Sequence, residues 1–246
     1  MKKLLFWMVL IVGIVALMGS CKKSEDAAAT TTAACSSSLS TTAAGTLTGL
    51  KTTMGVDKVT GTYSMSWEGA TPTAGCIDNG TAVSLMISYN SIPSDSQNFK
   101  YQIIVTSSTS FTKLLTYYSD NNSCATVSGY DAKSYTNFTV GDNITMATSP
   151  GCCPTYGTQV SYKATCFMAK GVTDTATAHI NAMSNVSGAV TGTELNQADS
   201  GYTYYNIMAL NDNHIGTTYD CFFVGEESTS DYPDNYSDRE SDTMFQ

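Results

Sequence analysis

The chain has 246 residues, of which 21 are acidic and 12 basic, giving a formal charge of −9 with 13% charged residues. Arg239 is its one arginine, which excludes a nucleic-acid binder, since that needs clustered Lys and Arg to displace counterions from phosphates. One long apolar run excludes a polytopic membrane protein, and 42% hydrophobic residues with 15 Tyr exclude a charge-rich disordered chain.

The chain opens with Lys2 and Lys3, then a 15-residue apolar run from Leu4 to Met18, then Gly19, Ser20 and Cys21. Charge, apolar run and small residues in that order make a secretory signal, and the run is shorter than the ~18–20 residues of a spanning helix. A signal anchor, or a cleaved signal followed by a chance Cys, are the plainer alternatives. Met18-Gly19-Ser20-Cys21 resembles the lipobox of bacterial lipoproteins, with Met for the usual Leu and Ser before the Cys. The resemblance implies a signal peptide over 1–20 and diacylation of Cys21, which becomes the new N-terminus. Acyl chains on Cys21 then make the membrane the protein's first partner. Lys22 and Lys23 follow, suited to anionic headgroups. No Asp follows the Cys, which in enteric lipoproteins implies outer-membrane sorting. The expected location is the cell envelope.

Residues 21–59 read as a Ser/Thr/Ala-rich tether with little to bury. Cys35 is its exception, positioned to pin the tether to the body. Residues 60–224 read as one β domain of short alternating runs rich in Thr, Val, Ile and Tyr. The runs are Tyr63–Trp67, Val83–Tyr89, Lys100–Thr106, Phe111–Tyr118, Tyr135–Val140, Ile144–Thr148, Val160–Met168, Thr173–Ala182, Ala189–Leu195, Tyr202–Leu210 and Thr217–Val224. Turn clusters such as Asp78-Asn79-Gly80, Gly141-Asp142-Asn143 and Asn211–Gly216 separate them. Thr175–Ser184 is the window where helix and strand compete. The expected fold is all-β, a single antiparallel barrel or sandwich of about 8–10 strands. Residues 225–246 carry seven acids and one base and read as a separate, disordered acidic tail.

Cys21 aside, the cysteines are Cys35, Cys76, Cys124, Cys152, Cys153, Cys166 and Cys221, a number suited to an oxidising, exported context. Their connectivity is open. Alternation places Cys166 with Val160 and Tyr162, and Cys221 with Tyr219 and Phe223, so the two are expected to face the core and could meet. Cys152-Cys153, between Gly151 and Pro154, sits on a tight loop. Either at least one of them bridges elsewhere, or the two form a vicinal disulfide.

Nothing in the sequence indicates catalysis. There is no nucleophile elbow, P-loop, dinucleotide fingerprint or zincin motif, and the two histidines, His179 and His214, lie in no metal-ligand spacing. Neither a metal nor a cofactor is expected. Tyr is the aromatic in excess, and its rings serve equally as core filler with a wet hydroxyl or as pocket lining.

The strand string resembles the lipocalin or calycin plan, an up-and-down barrel around a ligand cavity. Gly61–Trp67 is similar to the G-x-W opening strand, with Tyr63 at the Trp position. Tyr118, Asp120 and Cys124, followed by the strand Tyr135–Gly141, resemble a Y-x-D-x-x-C hairpin of lipocalin-like ectodomains in lipid-modified Wnt inhibitors and in bacterial lipoproteins. The resemblance implies a domain that binds a small hydrophobic ligand, with Tyr63, Trp67, Leu85, Ile87, Tyr101, Ile103 and Met208 as lining candidates. The alternative is a surface or structural interaction or adhesion protein with a filled core and no small-molecule ligand.

Overall fold

In the computed structural model, the described residues are 35, 40–50, 58–65, 75–121, 123–146, 154–212, 220–225, 227–234, 236 and 242–245. They form strands β1 (Thr46–Thr48), β2 (Lys58–Thr60), β3 (Thr62–Met65), β4 (Asn98–Ser107), β5 (Ser110–Tyr118), β6 (Val127–Thr145) and β7 (Tyr156–Gly171). Strands β8 (Leu195–Ala198), β9 (Thr203–Asp212), β10 (Asp220–Val224) and β11 (Asp242–Phe245) follow. Two helices interrupt them, α1 (Gly80–Ser88) and α2 (Asp174–Ala182). The all-β class is the expected one.

Nine strands make one antiparallel sheet in the order β6-β5-β4-β3-β11-β10-β9-β7-β8, and β6 also pairs with β7. Around this curl the strands follow chain order, β3 to β7 and then β9 to β11, which is an up-and-down meander. The curl stops short of a closed barrel. At the β3–β11 seam the described residues pair at two positions, Met65 with Met244 and Ser64 with Phe245. The opposite wall is long, since β6 and β7 pair from Gly129↔Gly171 to Thr145↔Tyr156. Gly141-Asp142-Asn143, expected as a turn, is a register shift inside β6. β9 follows β7 over Thr158–Lys163, and β8 takes over the same edge at Cys166–Ala169.

Two runs expected as strands are helices. Val83–Ser88 lies in α1, with Tyr89 as its C-cap, because Asn79 caps the start: its side-chain oxygen accepts from Thr81 N at 2.9 Å and Ala82 N at 3.2 Å. The turn signal at Asn79-Gly80 is thus a helix start. Thr173–Ala182 becomes α2, where Thr173 Oγ1 accepts from Ala176 N at 3.2 Å and Asp174 sits in the first turn. Its buried residues, Ala176, Thr177, His179 and Ile180, follow helical spacing. Of the run Ala189–Leu195, Leu195 alone is extended, at the start of β8.

The separate, disordered tail is also corrected for the described residues. β11 fills the sheet between β3 and β10. Ser228 bridges to Tyr205, and Tyr236 is buried against Met146, Ile207 and Ala209. The tail's apolar and aromatic residues bury enough surface to hold it against the body despite its charge.

The main core lies on the inner face of the curl. Tyr63, Ile103, Val105, Phe111, Tyr135, Phe138, Val160, Tyr162, Met208, Leu210 and Phe222 interlock there, with Leu47, Leu50 and Val59 joining them. Phe99 and Tyr117 share the inner faces of β4 and β5 at even spacing from Ile103 and Phe111. They pack with Ile77, Ala82, Val83, Ile92 and Ala176, so both helices close on that face. Each such side chain contributes about 1.5–3 kcal/mol when fully buried.

Candidate functional site

The inner face of β4, β5 and β6 carries the residues from which a site could be built. Among the lining candidates, Tyr63, Ile103 and Met208 meet in the main cluster, with Tyr101 packed against it. They fill the interior together with aromatic rings. The Phe111 and Tyr135 rings stack at 4.9 Å, and Tyr162 meets them edge-on at 5.0 and 5.1 Å. Tyr63 packs on Phe222 at 5.4 Å. Leu85 and Ile87 are corrected: both lie on α1, Leu85 exposed and Ile87 packed against the helical cluster. Trp67 lies outside the described residues.

Charge sits inside this face too. The register sets Lys113 directly opposite Lys133, and Leu115 opposite Asp131. Two cations side by side on one strand pair repel, so the fold has to supply acids. Glu227 does so for Lys113, whose Nζ lies 2.7 Å from Glu227 Oε1. Tyr162 Oη donates to the same oxygen at 2.8 Å, and Asn206 Nδ2 donates to Tyr162 Oη and to Gly225 O, each at 2.9 Å. Burial opposes ionisation of Glu227, but the Lys113 ammonium and the bonds from Lys113 and Tyr162 outweigh it and hold its carboxyl below the usual range. Burial and the Glu227 charge push the Tyr135 and Tyr162 hydroxyls well up, so both stay neutral donors.

Asp131 answers Lys133 from the same strand and accepts a hydrogen bond from Tyr117 Oη. Burial nevertheless pushes its carboxyl up to about 6, against the lowering pull of Tyr117 and Lys133. The Tyr117 ring meets His179 of α2 edge-on at 5.7 Å. Burial pushes the His179 imidazole down, against a hydrogen bond with the Ser91 backbone. These groups share hydrogen bonds and ring contacts that position one another. Among the described residues no cluster of three or more His, Cys, Asp or Glu is arranged to hold a metal.

Asp120, singled out by the hairpin resemblance, organises its loop. Oδ1 accepts from Thr126 N at 2.7 Å and Ala125 N at 3.0 Å, and Oδ2 accepts from Ser123 N at 3.2 Å and Ser123 Oγ at 2.9 Å. Those bonds, Thr126 N foremost, draw its carboxyl down to about 2. Cys124 in this loop takes a left-handed φ of 48° and bonds to Cys76.

A pocket of about 440 Å³ opens beside this loop, between α1 and the start of β4. Asp78, Ser84, Ser94, Gln97 and Asn121 form an exposed polar rim, and Val83, Ser96 and Asn98 a buried floor. The second disulfide joins Cys35 to Cys166, pinning the tether to β7. That corrects the expected meeting of Cys166 with Cys221, which stands in β10 opposite Asn211 and Phe245. Cys21, Cys152 and Cys153 lie outside the described residues.

Sequence reasoning missed Lys113, Asp131 and Glu227. A signal existed for two of them: Lys113 shares parity with Phe111 and Leu115, and Asp131 with Tyr135, so each charge stood at a core-facing position and required a partner. Glu227 gave none, because its partner comes from a strand more than a hundred residues away. In comparisons with known proteins, the chain matches no family model and no curated protein.

Proposed function

We propose that the protein is an exported lipoprotein, anchored by acyl chains on Cys21 at the envelope membrane, whose β domain works through its outer surface. The observation that carries this reading is the filled interior. Phe111, Tyr135 and Tyr162 occupy the space a small hydrophobic ligand would need, in mutual ring contact at 4.9 to 5.1 Å. Opening that space would break the ring contacts and the Tyr162–Glu227 bond together, which costs several kcal/mol. The Cys35–Cys166 bridge also supports a tethered design. It leaves 14 residues from Cys21 to Cys35, a leash of at most roughly 50 Å.

Two measurements on the full chain test the reading. Wild-type protein partitions with membranes, and Cys21→Ser moves it to the soluble fraction; membrane retention of the variant overturns the anchor. Native mass spectrometry of the lipidated protein with added palmitate shows no bound fatty acid beyond the covalent chains. A stoichiometric adduct overturns the filled-core reading and restores the hydrophobic-ligand alternative.

A further inference from the structure

The pocket between α1 and β4 has chemistry distinct from the core. Its volume of about 440 Å³ falls in the ~300–1,000 Å³ range of small-molecule sites. Three carboxamides, Gln97, Asn98 and Asn121, and three hydroxyls, Ser84, Ser94 and Ser96, surround it. Carboxamides both donate and accept, which suits vicinal hydroxyl groups. Val83 and Ile87 supply an apolar strip along one wall.

Among the described residues the lining carries one carboxylate, Asp78, and no Lys, Arg or His, which disfavours an anion. A single exposed carboxylate is too little to hold a cation. The walls are already fixed. The Cys76–Cys124 disulfide ties the segment before Asp78 to the loop after Asn121. Ile77 pairs with Phe99, with N–H···O distances of 2.9 and 3.2 Å, and Asn98 Nδ2 donates to Asp120 O at 2.5 Å. A braced site costs little ordering when a ligand enters. Ser96 Oγ is buried at its floor with no hydrogen-bond partner among the described residues, a group that ordinarily finds one.

We infer that this pocket binds a small neutral saccharide of one or two rings, its hydroxyls held by Gln97, Asn98 and Asn121 and its C–H face resting on Val83 and Ile87. No aromatic ring among the described lining residues stacks on a sugar, so the expected affinity is in the millimolar range. The site goes beyond the proposed function and does not depend on the anchor.

Saturation-transfer difference NMR of the full-length protein in lipid nanodiscs tests it, with cellobiose, maltose and N,N′-diacetylchitobiose as probes and inorganic phosphate as a competitor. The expected result is saturable transfer from at least one disaccharide, undisturbed by phosphate. Ser84 and Gln97 are exposed, so Ser84→Trp fills the pocket without touching the core, and Gln97→Ala removes one amide. Ser84→Trp abolishes transfer, and Gln97→Ala weakens it about fivefold, the worth of one hydrogen bond. An unchanged melting temperature in both variants assigns the loss to the site. Absence of saturable transfer from all three sugars overturns the inference, as does transfer that survives Ser84→Trp.

Discussion

Lys113 Nζ lies 2.7 Å from Glu227 Oε1, and this pair fastens the acidic C-terminal segment to the inner face of the sheet. The two side chains retain 12% and 24% exposure, so solvent screens part of the attraction. Replacing Glu227 by Gln leaves Lys113 beside Lys133 with no counter-charge. The expected loss is about 1–3 kcal/mol in urea unfolding. Lys113→Met with Glu227→Gln should recover part of it. Strictly additive losses in a double-mutant cycle would show that the pair carries no coupling.

Stability should depend on pH with two opposite signs. The Glu227 carboxyl is depressed in the folded protein, so its contribution is complete above its unfolded value near 4.5 and is lost as pH falls through the folded one. Asp131 is raised from 3.8 to about 6, so the folded state holds its proton longer and stability falls as pH rises through that window. Asp131 keeps partial exposure, and the expected cost above pH 6 is about 1–2 kcal/mol. The depressed His179 adds a rise with pH up to its unfolded value near 6.5, so the test is a difference: between pH 4 and 6, Asp131→Asn should remove a falling contribution to the urea midpoint while keeping an acceptor for Tyr117. A variant that follows the wild-type profile would remove Asp131 as its source.

Non-reducing peptide mapping should recover Cys35–Cys166 and Cys76–Cys124 as linked peptides, closing spans of 131 and 48 residues. Cys76→Ser should cost about 2–4 kcal/mol, chiefly by freeing the unfolded chain. Recovery of a Cys166–Cys221 peptide as the main product would refute the assignment.

Gly171 closes β7 directly under α2. A Cβ there would stand 2.2 Å from Thr177 Oγ1 and 2.5 Å from Thr177 N. The second neighbour is helix backbone, so α2 itself must move. Gly171→Ala should cost about 2–3 kcal/mol. Gly188→Ala makes a useful contrast: its Cβ meets nothing within 4 Å, but its φ of 84° still strains a side chain. The first variant should show loosened Tyr117–His179 packing in near-ultraviolet dichroism and the second should not.

Period-two alternation alone determined the all-β class, most strands and the parity of the core, because a strand's neighbours two residues apart share a face whatever lies around it. The barrel resemblance named Tyr63, Ile103 and Met208, which do meet in the core, and the composition of the N-terminal segment singled out Cys35 as the residue to pin the tether. The charge, apolar run and Cys21 on which the proposed lipid anchor rests are equally local features. Tertiary structure decided the rest. Val83, Leu85, Ile87 and Tyr89 alternate as a strand does, yet a cap from Asn79 and burial of Ala82 and Val83 make the first three helical and Tyr89 the C-cap. The tail's charge argued for solvation until Lys113 offered Glu227 a partner and the β3–β10 gap offered β11 a place. Pairings between Cys35 and Cys166, or Lys113 and Glu227, depend on which surfaces the curl brings together. Side-chain chemistry and local spacing are written residue by residue; long-range partners exist only once the sheet has closed its inner face.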